Sequence, residues 1–377
     1  MNLRRLRAIA RKEFLHVLRD PRSLIMAIVI PMMMLVLFGF ALTLDVDNVP
    51  LVVWDQSGTH ASREFVSRFA GSRYFSLKGS VQSYVELERA LDRRHALAGL
   101  VIPADFARRV QTGHAVDVQL IVDGSDANTA TLAIGYADML TQTYSQDAAL
   151  AEANRLGGSP VRRPLDLRPR VWFNSDLESR NYIIPGLIGV IMMVIAALLT
   201  SLTVAREWER GTMEQLISTP VKGQELLAGK LIPYFVIGMA DVLLGVLMGE
   251  FVFRVPLRGS VALLFGVSTL FLIGVLSMGL LISIVTKSQL LASQVAMIST
   301  FLPSFVLSGF MFAIANMPRP IQVITYAVPA RYFVSMLKSI YLKGVGLEIL
   351  LGEVALLSVY GLVMVALANV KFKKKLG

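Results

Sequence analysis

The stretch Ser23-Leu-Ile-Met-Ala-Ile-Val-Ile-Pro-Met-Met-Met-Leu-Val-Leu-Phe-Gly-Phe-Ala-Leu-Thr-Leu44 holds 22 uncharged residues between Arg22 and Asp45. At about 1.5 Å per helical residue it reaches across a hydrocarbon core of about 30 Å. Five further apolar stretches follow, at 181–205, 231–253, 259–286, 288–318 and about 347–370. Each is longer than the roughly 20 residues a crossing needs. Between the first stretch and the other five lie about 135 mostly polar residues, 45–180. The layout predicts a mainly α membrane protein with six transmembrane helices, the first at 23–44 and the rest within 181–370, and one inserted external domain.

Composition points the same way. Of the 377 residues, 54% are hydrophobic and 17% charged, against roughly 25% charged in an average soluble domain. The net charge of +10 would suit nucleic acid, but the basic residues collect beside the apolar stretches and not in a patch interleaved with aromatics, so no nucleic-acid partner is expected. With no Cys, disulfides, thiolate catalysis and Cys-based zinc sites are excluded. The first apolar run is longer than a signal-peptide core and lacks a clear A-x-A site, which predicts an uncleaved anchor.

Basic flanks set the orientation. Seven precede the first span (Arg4, Arg5, Arg7, Arg11, Lys12, Arg19, Arg22), four lie between spans two and three (Arg206, Arg210, Lys222, Lys230), and four mark the tail 371–377 (Lys371, Lys373, Lys374, Lys375). Both termini are therefore expected in the cytoplasm. Arg319, Arg331, Lys338 and Lys343 run against the rule, since six crossings put them outside.

Within 1–22, Leu3, Leu6, Ala10, Phe14 and Val17 recur at helical spacing, with Arg4, Arg5, Arg11 and Lys12 on other faces. An amphipathic elbow helix along the lipid interface is expected, ending at Asp20-Pro21 because the residue before proline disfavours the α region. In 45–180, strands are expected at 51–54, 100–102 and 116–122 and helices at 62–69, 83–94, 105–111 and 128–146, a small α/β domain. Asp126 is placed to cap the last of these helices. The group Asp123, Asp126 and Asn128 lacks the alternation and distal Glu of a calcium loop, and no metal site is expected. Residues 156–170, with Gly157-Gly158 and three prolines, read as a linker.

Catalytic signatures are missing. His16, His60, His95 and His114 are scattered, and neither H-E-x-x-H nor G-x-S-x-G occurs. Gly223-Gln-Glu-Leu-Leu-Ala-Gly229-Lys230 has five residues between its glycines where a Walker loop has four, and Leu231 where Ser or Thr must hold Mg²⁺. The chain is read as binding no ATP and as no enzyme.

Two polar features stand out. The loop 205–220 contains Arg206-Glu-Trp-Glu-Arg-Gly-Thr212, then Glu214 and Gln215. Thr212 and Gln215 have capping-box spacing, Met213, Leu216 and Ile217 can share a face, and Pro220 stops the element. The resulting short helix would present an apolar and acidic surface, either docking into another protein or lying on headgroups. Asp241 falls about eleven residues into span three, where an ionised acid costs on the order of 2.5–3.5 kcal/mol, so it is expected to face protein or water.

The loop Arg206–Thr212, with Val122-Asp-Gly-Ser-Asp-Ala-Asn-Thr-Ala130, Pro303-Ser-Phe-Val-Leu-Ser-Gly309 and Pro329-Ala-Arg-Tyr-Phe333, closely resembles the type-2 ABC exporter permeases, in the long bacterial form with an external domain between spans one and two. The resemblance covers essentially the whole chain. It implies an inner-membrane subunit that pairs with a second permease chain, identical or related, and docks a separate ATPase that holds ATP and Mg²⁺. It implies ATPase coupling through Arg206, Glu207, Glu209, Arg210, Gly211, Thr212 and Glu214, and an outer re-entrant region at 316–346. A periplasmic adaptor protein is a further partner it admits. At Ala313 the chain departs from the family, which often has Pro there. The competing reading is an ATP-independent membrane receptor or scaffold with an external domain.

Overall fold

The computed structural model describes residues 2–42, 47–155, 172–174 and 178–372. Two compact units are present, Met1–Thr43 with Arg170–Gly377, and Leu44–Pro169. The expected linker 156–170 and the basic residues Lys373, Lys374 and Lys375 lie outside the described residues.

Helix α1 (Leu3–Arg19) starts at Asn2, whose side chain accepts from the Arg4 backbone N–H, and stops at Asp20 in extended backbone. Pro21 supplies the reason, since it pushes the residue before it out of the α region. The chain then continues through α2 (Pro21–Leu24), a π-helical turn at Ile25–Val29, and α3 (Ile30–Ala41). Pro31 accounts for the wide turn. It lacks an N–H and its ring presses on the preceding turn, and the Ile30 N–H bonds Ile25 O instead of the usual i−4 carbonyl.

The smaller unit is built on β1 (Val49–Asp55), α4 (His60–Ala70), β2 (Phe75–Ser80), α5 (Tyr84–Asp92), β3 (Ala98–Ile102), α6 (Phe106–Gln111), β4 (Gln119–Val122) and α7 (Ala127–Arg155). The strand order is β2-β1-β3-β4, with β1 parallel to β2 and β3, and β3 antiparallel to β4. Strand β2 has no counterpart in the sequence reading. Only Phe75 is buried in Phe-Ser-Leu-Lys-Gly-Ser, so an edge strand with one anchor shows no apolar alternation. The expected strand at 116–122 shortens to its last four residues. Asp126 Oδ1 accepts from Asn128 N–H at 3.1 Å and Oδ2 from the Thr129 hydroxyl at 2.6 Å, capping α7. Phe65, Phe69, Phe75, Phe106 and Tyr144 form its aromatic core.

The larger unit adds α8 (Ser179–Glu209), α9 (Thr212–Ser218), α10 (Gly223–Leu247, extended by a π turn at Met248–Val252), α11 (Val261–Thr286), α12 (Gln289–Leu307), α13 (Arg319–Thr325), α14 (Pro329–Lys338, extended by a π turn at Ser339–Lys343) and α15 (Leu347–Lys371). Among the described residues, five helices are long and apolar enough to cross a membrane: Ser179–Glu209, Gly223–Val252, Val261–Thr286, Gln289–Leu307 and Leu347–Lys371. Helix α8 is the axis of the bundle, buried from Ile183 to Ala205 apart from Leu198 and Leu202, whereas α12 and α15 leave most side chains unburied.

The apolar stretch 288–318 is not one helix. It ends at Leu307, because Gly309 takes a left-handed φ of 77° that helix cannot continue through. Ala313 adopts φ −62°, ψ 125°, a conformation proline also favours, so alanine here holds the backbone that a proline would accept. The Walker-like stretch forms the first two turns of α10 and is no phosphate loop.

Candidate coupling site

The last turn of α8, Ala205 to Glu209, meets α1 and the start of α10 in a polar cluster. Lys230 is its centre. Only 1% exposed, its Nζ donates to Glu13 Oε1 at 2.7 Å and to Glu207 Oε1 at 3.2 Å. Lys12 Nζ donates to the same Glu207 oxygen at 2.9 Å, and the Thr212 hydroxyl donates to Glu207 Oε2. Two cations therefore balance two carboxylates, with a hydroxyl taking up a further lone pair, which is what burial of such charges requires.

Arg206 makes the neighbouring set. Its Nη1 lies 2.7 Å from His16 Nε2 and 3.8 Å from Asp20 Oδ2, and its Nε donates to Gln289 Oε1 at 3.4 Å. Burial and then the Arg206 guanidinium lower the His16 pKa, keeping the ring neutral and able to accept from Arg206. Glu209 reaches a different helix, accepting from the Gln289 backbone N–H at 2.7 Å and from its side-chain amide. Lys287 Nζ sits 4.7 Å from the centre of the Trp208 ring. The segment is thus tied to α1, α10 and the start of α12 at once.

Two expectations about α9 need correction. Thr212 does not cap it. The N-cap is Gly211 at φ 69°, and the Thr212 hydroxyl is drawn to Glu207, whose carboxylate is the stronger acceptor. Nor is the apolar face exposed. Met213 is 1% exposed and packs with Leu226, Leu227, Ile284 and Phe372, with Leu216 at the edge of that cluster. Burying Met213 and Leu216 against α10 and α15 removes apolar area from water, so α9 turns its polar side out. Glu214, Gln215 and Ser218 form that exposed face, and Arg210 is exposed just ahead of it. The structure thus separates the seven predicted residues, with Glu207 and Thr212 in the buried cluster, Arg206 and Glu209 on side bridges, and Arg210, Gly211 and Glu214 at the surface.

From sequence, Lys12 and Lys230 read as basic flanks and not as site residues, His16 as one of the scattered histidines, and Glu13 is not singled out. Glu13 carried a signal, since it falls between Ala10 and Val17 on the apolar face of α1, where an acid needs a partner. Asp241 is 2% exposed on α10, and its Oδ1 has no hydrogen-bond partner among the described residues.

Gly211 has open space where a Cβ would stand, so only its left-handed backbone constrains it. Gly211→Ala should destabilise the turn by roughly 1–2 kcal/mol, with Gly211→Asn milder because Asn tolerates this region better. Hydrogen exchange across α9 should speed up in that order, and equal protection in both variants would refute the backbone argument.

A bundle of long apolar helices, with buried charges latching a short helix at one end, has the make-up of a membrane-embedded protein. Residues 21–370 match the ABC-2 family transporter proteins, and the chain belongs to that family. It is 41% identical, over all of its length and 98% of the relative's, to a probable multidrug ABC transporter permease, YbhS, of Escherichia coli K12. Identity is 31% to the probable multidrug permease YbhR of the same organism, over 92% of each chain. To the inner membrane transport permease YhhJ it is 26%, over 92% of this chain and 93% of that one.

Proposed function

We propose that this chain is the transmembrane permease subunit of an ATP-driven exporter and couples to a separate ATPase through α9. The observation that carries the proposal is the latch. A helix whose apolar side is buried and whose base is clamped by Lys230, Glu13 and Glu207 cannot move without pulling on α1 and α10. Its exposed Arg210, Glu214 and Gln215 are the surface offered to the ATPase, which would carry ATP and Mg²⁺, this chain binding neither. Glu207 then transmits force inside the permease, while Glu209 carries it to α12 through Gln289.

Two permease chains would line the pathway between them. Six crossings result when 21–41 is counted as the first, since 21 residues of continuous helix extend about 31 Å. Helices α13 and α14, of seven and ten residues, rise only about 10 and 15 Å, which suits helices dipping into the outer leaflet. The α/β unit lies outside and both termini inside. The multidrug name given to YbhS and YbhR favours small organic compounds as cargo, and the name given to YhhJ favours an inner membrane.

Coupling is tested by Glu207→Ala/Glu209→Ala, which should insert and dimerise normally while losing most ATP-driven transport. Arg210→Ala/Glu214→Ala should instead release the ATPase during co-purification. Wild-type transport in the first variant overturns the coupling assignment. Placement of the α/β unit is tested with a cysteine at Ser125, expected to react with an impermeant maleimide from outside intact cells. Labelling only after the membrane is opened refutes it.

A further inference from the structure

At the end of the bundle opposite the Glu207 cluster lies a pocket of about 670 Å³. Tyr182, on its wall, stands 27 residues before Glu209 on α8, or about 40 Å away by helical rise. Three of the four basic residues that defy the positive-inside pattern converge here: Arg331, Lys338 and Lys343. Two are fixed by neutral groups. Arg331 stacks 3.8 Å from the centre of the Tyr326 ring and its Nη1 donates to Gln322 O at 3.3 Å, while Lys338 Nζ lies 3.3 Å from the Tyr182 ring centre and donates to Gly309 O at 2.9 Å. Lys343 is exposed at the rim.

Among the described residues, no carboxylate forms an ion pair with any of the three. The single acid in the wall, Glu353, accepts from Ser335 Oγ at 3.5 Å. Arg331 and the exposed Lys343 against one carboxylate leave the pocket positive even without a charge on the half-buried Lys338, within a bundle whose surroundings screen poorly. Its remaining wall is apolar, including Ile314, Val334 and Leu356. Leu356, 46% exposed, carries this apolar wall out to the surface.

We propose that this pocket binds an amphiphile with an oxyanion headgroup, the head held by Arg331, Lys338 and Lys343 and the tail lying over Leu356, Val334 and Ile314. A guanidinium held flat on a tyrosine is suited to bidentate contact with a phosphate or carboxylate, the exposed Lys343 adds charge, and Lys338 Nζ adds a donor. The excess of positive charge at this end thus has a local use instead of a topological one. Ligand binding here is independent of the coupling reading, because it needs neither the ATPase nor transport.

The test titrates the purified full chain, in uncharged detergent, with dioctanoyl phosphatidylglycerol, with dioctanoylglycerol and with inorganic phosphate. Saturable binding of phosphatidylglycerol is expected, at least tenfold tighter than either of the others. Arg331→Gln and Lys343→Gln should each weaken it about tenfold, the loss of one charge-assisted contact. Lys343 is exposed, so that variant should melt like the wild type and decides the matter even if Arg331→Gln folds poorly. Equal binding of dioctanoylglycerol, or unchanged affinity in Lys343→Gln, overturns the site. Inorganic phosphate binding as tightly as the lipid would make it a small-anion site and overturn the amphiphile.

Discussion

Replacing Lys230 by Met should destabilise the permease by about 3–5 kcal/mol, the range for removing one partner from a buried ion pair. Methionine fills nearly the same volume, so the loss is electrostatic. Glu13 and Glu207, with side chains 6% and 12% exposed, would face each other with only Lys12 to balance them. Lys12 cannot substitute, because its side chain is 55% exposed and reaches Glu207 from solvent. Lys12→Met should accordingly change stability by no more than about 1 kcal/mol. Adding Glu13→Gln to Lys230→Met removes one of the stranded charges and should recover part of the loss. Thermal unfolding of the purified chain and ATPase co-purification read both effects. A Lys230→Met protein that melts with the wild type would mean that the triad carries little of the latch.

A second large effect is expected at Gly279, where α11 crosses α8. A Cβ there would overlap the Thr200 hydroxyl and the Ala197 carbonyl oxygen, and would lie 3.0 Å from the Ala197 carbonyl carbon. Two of these three atoms are backbone of a helix buried along most of its length, so the neighbour has nowhere to go. Overpacking commonly costs about 1–3 kcal/mol where side chains can shift, and Gly279→Val should reach or exceed the upper end. One turn further on, Ser283 Oγ accepts from the Val204 and Ala205 N–H groups at 3.0 and 2.9 Å. Spreading α8 from α11 would therefore strain hydrogen bonds next to the Glu207 cluster as well. Gly266 is the control, since nothing stands within 4 Å of a Cβ there and Gly266→Ala should be neutral or slightly stabilising. Folded yield and melting temperature of the two variants in detergent make the comparison. Equal behaviour would place the α8–α11 contact elsewhere.

Between them these positions explain the unequal legibility of the molecule. The apolar stretches, the stop of α1 before Pro21 and the cap of α7 by Asp126 depend on residues within a few positions of one another. Such features are written in order along the chain. Strand β2 was hidden because an edge strand buries one residue in six and needs its neighbour to exist at all. The inward turn of α9 was hidden for a related reason. Met213 and Leu216 announce an apolar face, but whether that face meets lipid, a partner or the chain itself depends on Leu226 and Phe372 being there to receive it.

By itself the sequence determined where the long apolar segments lie, that an α/β unit is inserted after the first, and which motifs tie the chain to its family. Hydrophobic length and local backbone preference act over one element at a time, so one element suffices to read them. Only the tertiary structure decided which charges meet. Lys230 and Glu13 are 217 residues apart, and the pocket at the other end gathers Tyr182, Gly309, Arg331, Lys338 and Glu353 from four separate segments. A charge finds its partner through space, and an apolar environment makes that pairing energetically decisive without leaving any spacing rule in the chain.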